Sequence, residues 1–388
     1  MDTKQKDRQY LLQNYRRMDA ALTEGQGARL KGEDGKPYLD FGSGIAVNTF
    51  GANYAPWTEA VTAQLKKLAH TSNIYYNRPS CDLAEALCER TGLKRVFFSN
   101  SGAEANEGAI KCARKYSFDK YGENRYEIVT LKNSFHGRTM GTISATGQES
   151  FHQYFMPFLP GFAYAPPDDF DAAAACVTDK TCAVMLELIQ GEGGVNVLEE
   201  GYVKRLAALC AEKDVLLILD EVQTGNGRTG SLYAYQQYGI APDIVTTAKG
   251  LAGGLPLGVT LFGERTANVL TPGSHGSTFG GNPVAAAGAL AILSALDERL
   301  FKSVRDKGEY LKAALNKMRG VEAVSGRGLM VGAKVKDAAG VMAAALERGL
   351  LVLTAKDRLR IMPPLNITYD ELDEGIEILS GILDGEPA

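Results

Sequence analysis

The sequence predicts an α/β fold, with a mostly parallel central sheet in a large domain and a smaller α+β domain formed by the chain termini. Two observations carry that expectation. Between about residues 80 and 280, short apolar runs rich in Val, Ile and Leu (RVFFS, EIVTL, CAVMLELI, VLLILDEV, DIVTTA, GVTLFG) alternate with helical patterns such as YVKRLAALCAEKD. That alternation marks buried strands joined by helical crossovers. After about residue 290 the character changes to long helical patterns and short strands at VGAKVK, LLVLTA and LRIMPP. The N-terminal YLDFGSGIAV is strand-and-turn material too short to fold alone, so it joins that second unit. The expected division is 51–289 for the large domain, and 1–50 with 290–388 for the small one.

Composition narrows the function. A chain of 388 residues with 45% apolar content buries a large core. Its net charge of −4 comes from interspersed acids and bases, which leaves no basic field for nucleic acid and no polybasic patch for a membrane. Small molecules are the expected partners. The start, MDTKQKDRQY, is charged and lacks a secretory apolar region, so the expected location is the cytoplasm. Pro283 to Leu296, the longest uncharged apolar run, is shorter than the roughly 20 residues a membrane span needs and suits a tightly packed helix. Six cysteines without a CxxC and four histidines without metal-ligand spacing point to reduced thiols and no metal site.

Three local patterns point to chemistry. The run SNSGAEANEGAIKCARKY follows the strand RVFFS and opens a helix, with Ser101 as N-cap, Glu104 three residues later, and Gly102 allowing close approach of backbone. Free N–H groups at such a helix start suit an anion. In VLLILDEVQTGNGRTG, Asp220 closes a buried strand, where open α/β sheets place their ligands and where a carboxylate suits a cationic partner such as a protonated ring nitrogen. The same stretch holds Gly225, Gly227 and Gly230 in GxGxxG spacing, which would suit a nicotinamide dinucleotide. However, Asp220 and Glu221 would lie beside the pyrophosphate, and no acid follows about 20 residues on. Finally, DIVTTA runs into Lys249 and then GLAGG. A lysine at the end of an apolar strand, with its pKa depressed, can supply a neutral amine for covalent catalysis. Each pattern alone also fits a plain cap, a turn or a snorkelling lysine. In this order on one α/β frame, they fit pyridoxal phosphate: phosphate at the helix start, ring nitrogen at Asp220, aldehyde at Lys249. The closing helix opens with a capping box at Thr368 and Glu371.

With those residues in view, the sequence resembles the class III pyridoxal-phosphate aminotransferases, of fold type I. The resemblance spans YLDFGSGIAVN, SNIYYN, SNSGAEANE, SFHGRT, QGEGGV, LDEVQTG, TTAKGLAGG, GSTFGGNP and RIMPPLNI. SGIAVN, SNIYYN and SFHGRT lean toward the branch acting on N-acetylornithine. The resemblance implies that Gly102 and Ala103 bind the cofactor phosphate through backbone N–H groups. Thr278 would reach the phosphate of a neighbouring subunit, so the active unit would be a homodimer with shared sites. Phe135 and Val222 would cover the two ring faces, Gln223 would hydrogen-bond the ring oxygen, and Lys249 would bind the cofactor covalently.

Substrate roles follow from the same resemblance. Arg138, with Ser277 nearby, would hold the donor's α-carboxylate, and Glu192 would pair with Arg360 until Arg360 takes a carboxylate of 2-oxoglutarate. The implied reaction moves the δ-amino group of N2-acetylornithine to 2-oxoglutarate, a step of arginine biosynthesis. Alternatives within the family are succinylornithine, ornithine, 4-aminobutyrate and aminoadipate-semialdehyde donors. Ornithine enzymes carry a tyrosine in the segment matching Ser43-Gly44-Ile45, which is absent here. Two further departures stand out: GANYAPW, 51–57, replaces the family's Gly-His-x-His-Pro turn, and Leu188 replaces a usual proline.

Overall fold

The computed structural model describes residues 1–385, so the last three residues of the expected small domain lie outside the described residues. The chain opens with strands β1 (Leu22–Gln26), β2 (Arg29–Gly32) and β3 (Pro37–Asp40). The middle contributes β4 (Arg95–Ser99), β5 (Glu127–Leu131), β6 (Phe162–Ala165) and β7 (Thr181–Leu186), the short pair β8 (Ile189–Gln190) and β9 (Asn196–Val197), then β10 (Leu216–Asp220), β11 (Ile244–Thr247) and β12 (Gly258–Phe262). Past residue 320 come β13 (Val321–Arg327), β14 (Met330–Val335), β15 (Leu350–Leu351), β16 (Leu353–Ala355) and β17 (Arg358–Ile361).

Seven middle strands form one sheet in the order β4-β12-β11-β10-β7-β5-β6. Every neighbour pair is parallel except those made by β12, which runs antiparallel to β11 and β4. The mostly parallel α/β sheet expected from the sequence is therefore present. Strands β7, β10, β11 and β12 are buried along their whole length, which explains their unbroken apolar runs. Edge strand β6, FAYA, went unread because four short residues beside a Pro- and Gly-rich loop carry little signal.

The two ends of the chain meet. Strand β15 pairs in parallel with β3, so residues 22–40 and 350–351 share a four-stranded sheet, while β13-β14-β17-β16 form another. The closing helix Tyr369–Leu383 starts with the expected capping box, Thr368 and Glu371 each serving the other's backbone N–H. The helix Pro283–Ala295, capped by Asn282, is the packed helix its composition suggests; its buried face includes Ala285, Ala286, Gly288, Ala289 and Ile292. No helix among the described residues is long and apolar enough to cross a membrane.

Candidate active site

A cavity of about 420 Å³ opens at the carboxyl ends of the central strands. It gathers Gly102, Ala103, Phe135, Arg138, Asp220, Val222, Gln223 and Lys249, eight of the residues singled out from the sequence. The parallel sheet explains the convergence: strand ends and the loops after them point to one edge, and the chemistry collects there.

Its floor begins at the helix Gly102–Tyr121. Ser101 caps it, its hydroxyl accepting from the Glu104 N–H at 3.2 Å, and the Glu104 carboxylate reaches back to the Asn100 N–H. The N–H groups of Gly102 and Ala103 have no partner among the described residues and stand at the positive end of a 20-residue helix. A side chain at Gly102 would be unable to sit here, because its Cβ would fall 2.7 Å from Val222.

Asp220 ends β10 and is fully engaged. Its Oδ2 accepts from Asn106 Nδ2 at 2.8 Å and lies 2.8 Å from His136 Nδ1, and its Oδ1 accepts from the Val222 N–H at 3.0 Å. Asn106 is itself fixed, donating to the His136 carbonyl at 2.7 Å and accepting from the Thr246 hydroxyl at 2.6 Å.

Lys249 follows β11 by two residues, with φ +41, a left-handed conformation rare for a side chain that is not glycine. Its Nζ makes no hydrogen bond or ion pair among the described residues. Burial pushes its ammonium below the ordinary lysine value and Arg360 adds to that push, against the opposing charges of Glu192, Asp220 and Glu187. Beside it, the stretch Ser43–Ala46 turns left-handed at four successive residues, φ +48 to +65, three of which are not glycine. Such residues each cost about 1–2 kcal/mol. The turn brings Val47 to the cavity wall and seats Ala46 among Ile189, Val195, Met330 and Met362.

Arg138 is exposed at the mouth, without an acidic partner among the described residues, and lies over the Phe151 ring at 4.2 Å. Glu192 and Arg360 are joined in an ion pair, and Arg360 Nη1 also donates to Gln223 Oε1 at 3.2 Å, which ties the pair to the cavity lining. Burial opposes it, yet the Arg360 guanidinium holds the Glu192 carboxyl below its ordinary value. Ser277 stands at the edge, its hydroxyl accepting from Asn100 at 3.3 Å. Thr278 is exposed and does not line the cavity of this chain.

Three site residues escaped the sequence reading. Asn106 and His136 lie inside stretches quoted above, SGAEANE and SFHGRT, but only the folded chain brings both onto Asp220. Glu187 is a buried carboxyl accepting from the Phe135 N–H at 2.7 Å, pushed up to about 7 by burial, with His136 and Lys249 opposing and Asp220 adding. A charge inside CAVMLELI is the same signal that drew notice to Lys249. By contrast, the GxGxxG glycines lie outside the cavity: Gly227 packs under Leu365, Leu296 and Phe301, and Arg228 is buried with its Nη1 on the Leu329 carbonyl at 3.0 Å.

A family model for aminotransferase class-III proteins matches residues 10–383. The chain is a class III aminotransferase. A relative from Haemophilus ducreyi, named acetylornithine aminotransferase, is 50% identical over 384 residues, covering 98% of each chain. Among solved structures, ornithine aminotransferase from Toxoplasma gondii, described with partial occupancy of pyridoxal phosphate at its active site, superposes with a TM-score of 0.93 at 34% identity, covering 98% of this chain and 93% of that one. N-acetylornithine aminotransferase from Stenotrophomonas maltophilia gives 0.84 at 36% identity, with 97% of each chain covered. The fold is therefore fold type I, and the cofactor of this class III enzyme is pyridoxal 5′-phosphate. The residues present fit that group: two free N–H groups at a helix start for a phosphate, a fixed carboxylate for a cationic nitrogen, and an unpaired amine for an aldehyde.

Proposed function

We propose that this class III aminotransferase moves the δ-amino group of N2-acetylornithine to 2-oxoglutarate, giving N-acetylglutamate 5-semialdehyde and glutamate. The observation that carries the aminotransfer chemistry is the desolvated, unpaired Lys249 facing the triply held Asp220 across one cavity. The donor rests on the full-length likeness to relatives named for acetylornithine.

When bound, pyridoxal 5′-phosphate supplies an electron-withdrawing ring that takes up the electron pair left as a proton departs from the carbon bearing the amine. Lys249 Nζ, as free base, accepts that proton and later returns it, acting as general base and then acid. Asp220, fixed by Asn106, His136 and the Val222 N–H, holds a proton on the ring nitrogen. The N–H groups of Gly102 and Ala103 would bind the phosphate, Phe135 and Val222 would flank the ring, and Gln223 would serve its oxygen. Arg138, helped by Ser277, orients the donor through its α-carboxylate. Arg360 exchanges Glu192 for a carboxylate of 2-oxoglutarate in the second half of the cycle.

The active unit is a homodimer in this reading. Thr278 is exposed, as are Phe279 and, on the segment that Asn73 ties to the Ser277 and Gly280 carbonyls, Ile74, Tyr75 and Tyr76; a second copy would cover these apolar side chains while Thr278 serves that copy's phosphate. The division into 51–289 and 1–50 with 290–388 and a cytoplasmic location belong to the same proposal.

One specific observation favours a second donor, free ornithine: the Toxoplasma gondii ornithine enzyme superposes more closely than the Stenotrophomonas maltophilia one. Against it stands Ser43-Gly44-Ile45, without tyrosine. Turnover of N-acetylornithine, N-succinylornithine, ornithine and 4-aminobutyrate in one assay with 2-oxoglutarate tests the reading. Acetylornithine should give the highest kcat/KM; preference for ornithine would replace the donor and keep the chemistry.

A further inference from the structure

We propose that Thr49, Trp57 and Asn226 are positioning residues that hold the backbone of the Lys249 turn and thereby aim its amine. The inference rests on the reading of Lys249 as the cofactor-binding lysine.

The turn from Ala248 to Gly253 joins β11 to β12 through one short 3-10 turn, Lys249–Ala252, with the Leu251 N–H on the Ala248 carbonyl at 3.0 Å and the Leu255 N–H on the Ala252 carbonyl at 3.3 Å. Alternate carbonyls along it are each taken by a side chain from elsewhere. Asn226 Nδ2 donates to the Ala248 carbonyl at 3.1 Å and to the Thr247 hydroxyl at 2.9 Å. The Thr49 hydroxyl donates to the Gly250 carbonyl at 2.6 Å, and the Trp57 indole N–H to the Ala252 carbonyl at 2.8 Å. The donors come from three separate segments: the loop after β10, the segment just beyond the left-handed stretch Ser43–Ala46, and the first turn of the helix Ala55–Lys67.

The peptide plane before Lys249 is pinned through the Ala248 carbonyl and the second plane after it through the Gly250 carbonyl, so the residue with the unfavourable φ is bracketed on both sides. A non-glycine residue persists in that region only when its surroundings over-determine it. Room has been left for two of the donors. A Cβ at Gly250 would fall 2.6 Å from Thr49 Oγ1, and one at Gly288 would fall 2.8 Å from the Trp57 indole nitrogen. Trp57 is the chain's single tryptophan and lies in GANYAPW, the segment that departs from the family's histidine-containing turn. The departure thus carries a donor onto the lysine turn.

The test follows attachment of pyridoxal 5′-phosphate to the cofactor-free protein. The amine of Lys249 adds to the aldehyde carbon with loss of water, and hydride from borohydride then reduces the link to a stable secondary amine. Quenching with borohydride at timed intervals and weighing the peptides gives a rate at Lys249 independent of turnover. Thr49→Val, Asn226→Gly and Trp57→Phe should each slow that rate about fivefold or more, the scale of one lost hydrogen bond. Glycine suits position 226 because Asn226 has φ +57. Thr49→Ser should keep the wild-type rate. Thr181→Val is the control: it removes a buried hydroxyl, which accepts from the Thr178 N–H at 2.9 Å, at the start of β7 and away from the cavity. Wild-type rates in the three variants, or equal slowing in Thr181→Val, would overturn the proposal. Label on a different lysine in the wild type would instead overturn the assignment of Lys249.

Discussion

Asp220 and Lys249 stand at the ends of neighbouring parallel strands, β10 and β11, and the protein treats them in opposite ways. Around Asp220 the fold collects Asn106, His136 and the Val222 N–H, so every contact is to a group that can donate. Around Lys249 it supplies none, and burial drives the amine toward its neutral form. The two strand ends share location and differ in second neighbours. Chemistry at a sheet edge is therefore written by what surrounds a charged residue, more than by the residue's own type.

The largest test of that contrast removes the unpaired partner. Lys249→Ala should lower kcat by at least about 10²–10⁴-fold, the range for a lost general acid–base group, as measured by glutamate formation. Full activity in this variant would refute the mechanism. Next, Asp220→Asn keeps shape and removes charge. We expect kcat to fall about 10²-fold or more, with cofactor still retained on gel filtration. If the fall is much smaller, the three donors around Asp220 serve only to hold the fold.

A smaller effect is expected away from the strand ends. Arg360→Lys keeps the charge that faces Glu192 and Gln223 but loses the planar fork with which a guanidinium binds a carboxylate by two parallel hydrogen bonds. KM for 2-oxoglutarate should rise about tenfold or more, while single-turnover reaction with the amino donor changes little.

The smallest test asks whether burial alone, without a ligand, has the effect claimed for Lys249. Glu221, next to Asp220, is buried and pushed up to about 7 by that burial, although the Thr224 hydroxyl and the Tyr235 N–H at 2.8 Å donate to it. Its pKa is raised on folding, so its contribution is fully present below the ordinary carboxyl range and is lost as pH rises from about 4.5 to about 7. Glu221→Gln should flatten the decline in thermal midpoint between pH 5 and 8. Parallel curves for variant and wild type would contradict the assignment.

Much of this arrangement was legible in the residues because it rests on local pattern. Apolar runs gave the strands, Ser101 and Glu104 gave the helix start, and a charge closing an apolar run gave Asp220 and Lys249. The network around Asp220 was not legible, since its partners Asn106 and His136, and Thr246 which holds Asn106, come from a helix, a loop and a neighbouring strand, and only packing brings them within hydrogen-bonding distance. Glu187 was within reach by the same rule as Lys249, but its run reads as plain strand. Thr278 was placed at the phosphate by the resemblance alone, and the fold leaves it exposed and outside this chain's cavity.

The parallel pairing of β3 with β15 has a consequence in time. Residues 37–40 leave the ribosome roughly 300 residues before their partners at 350–351. At about 5–20 residues per second, that leaves them without this partner for on the order of 15–60 s. During synthesis the seven-stranded sheet can assemble while the first strands wait for the end of the chain, and the left-handed stretch that carries Thr49 onto the Lys249 turn would be among the last parts to settle.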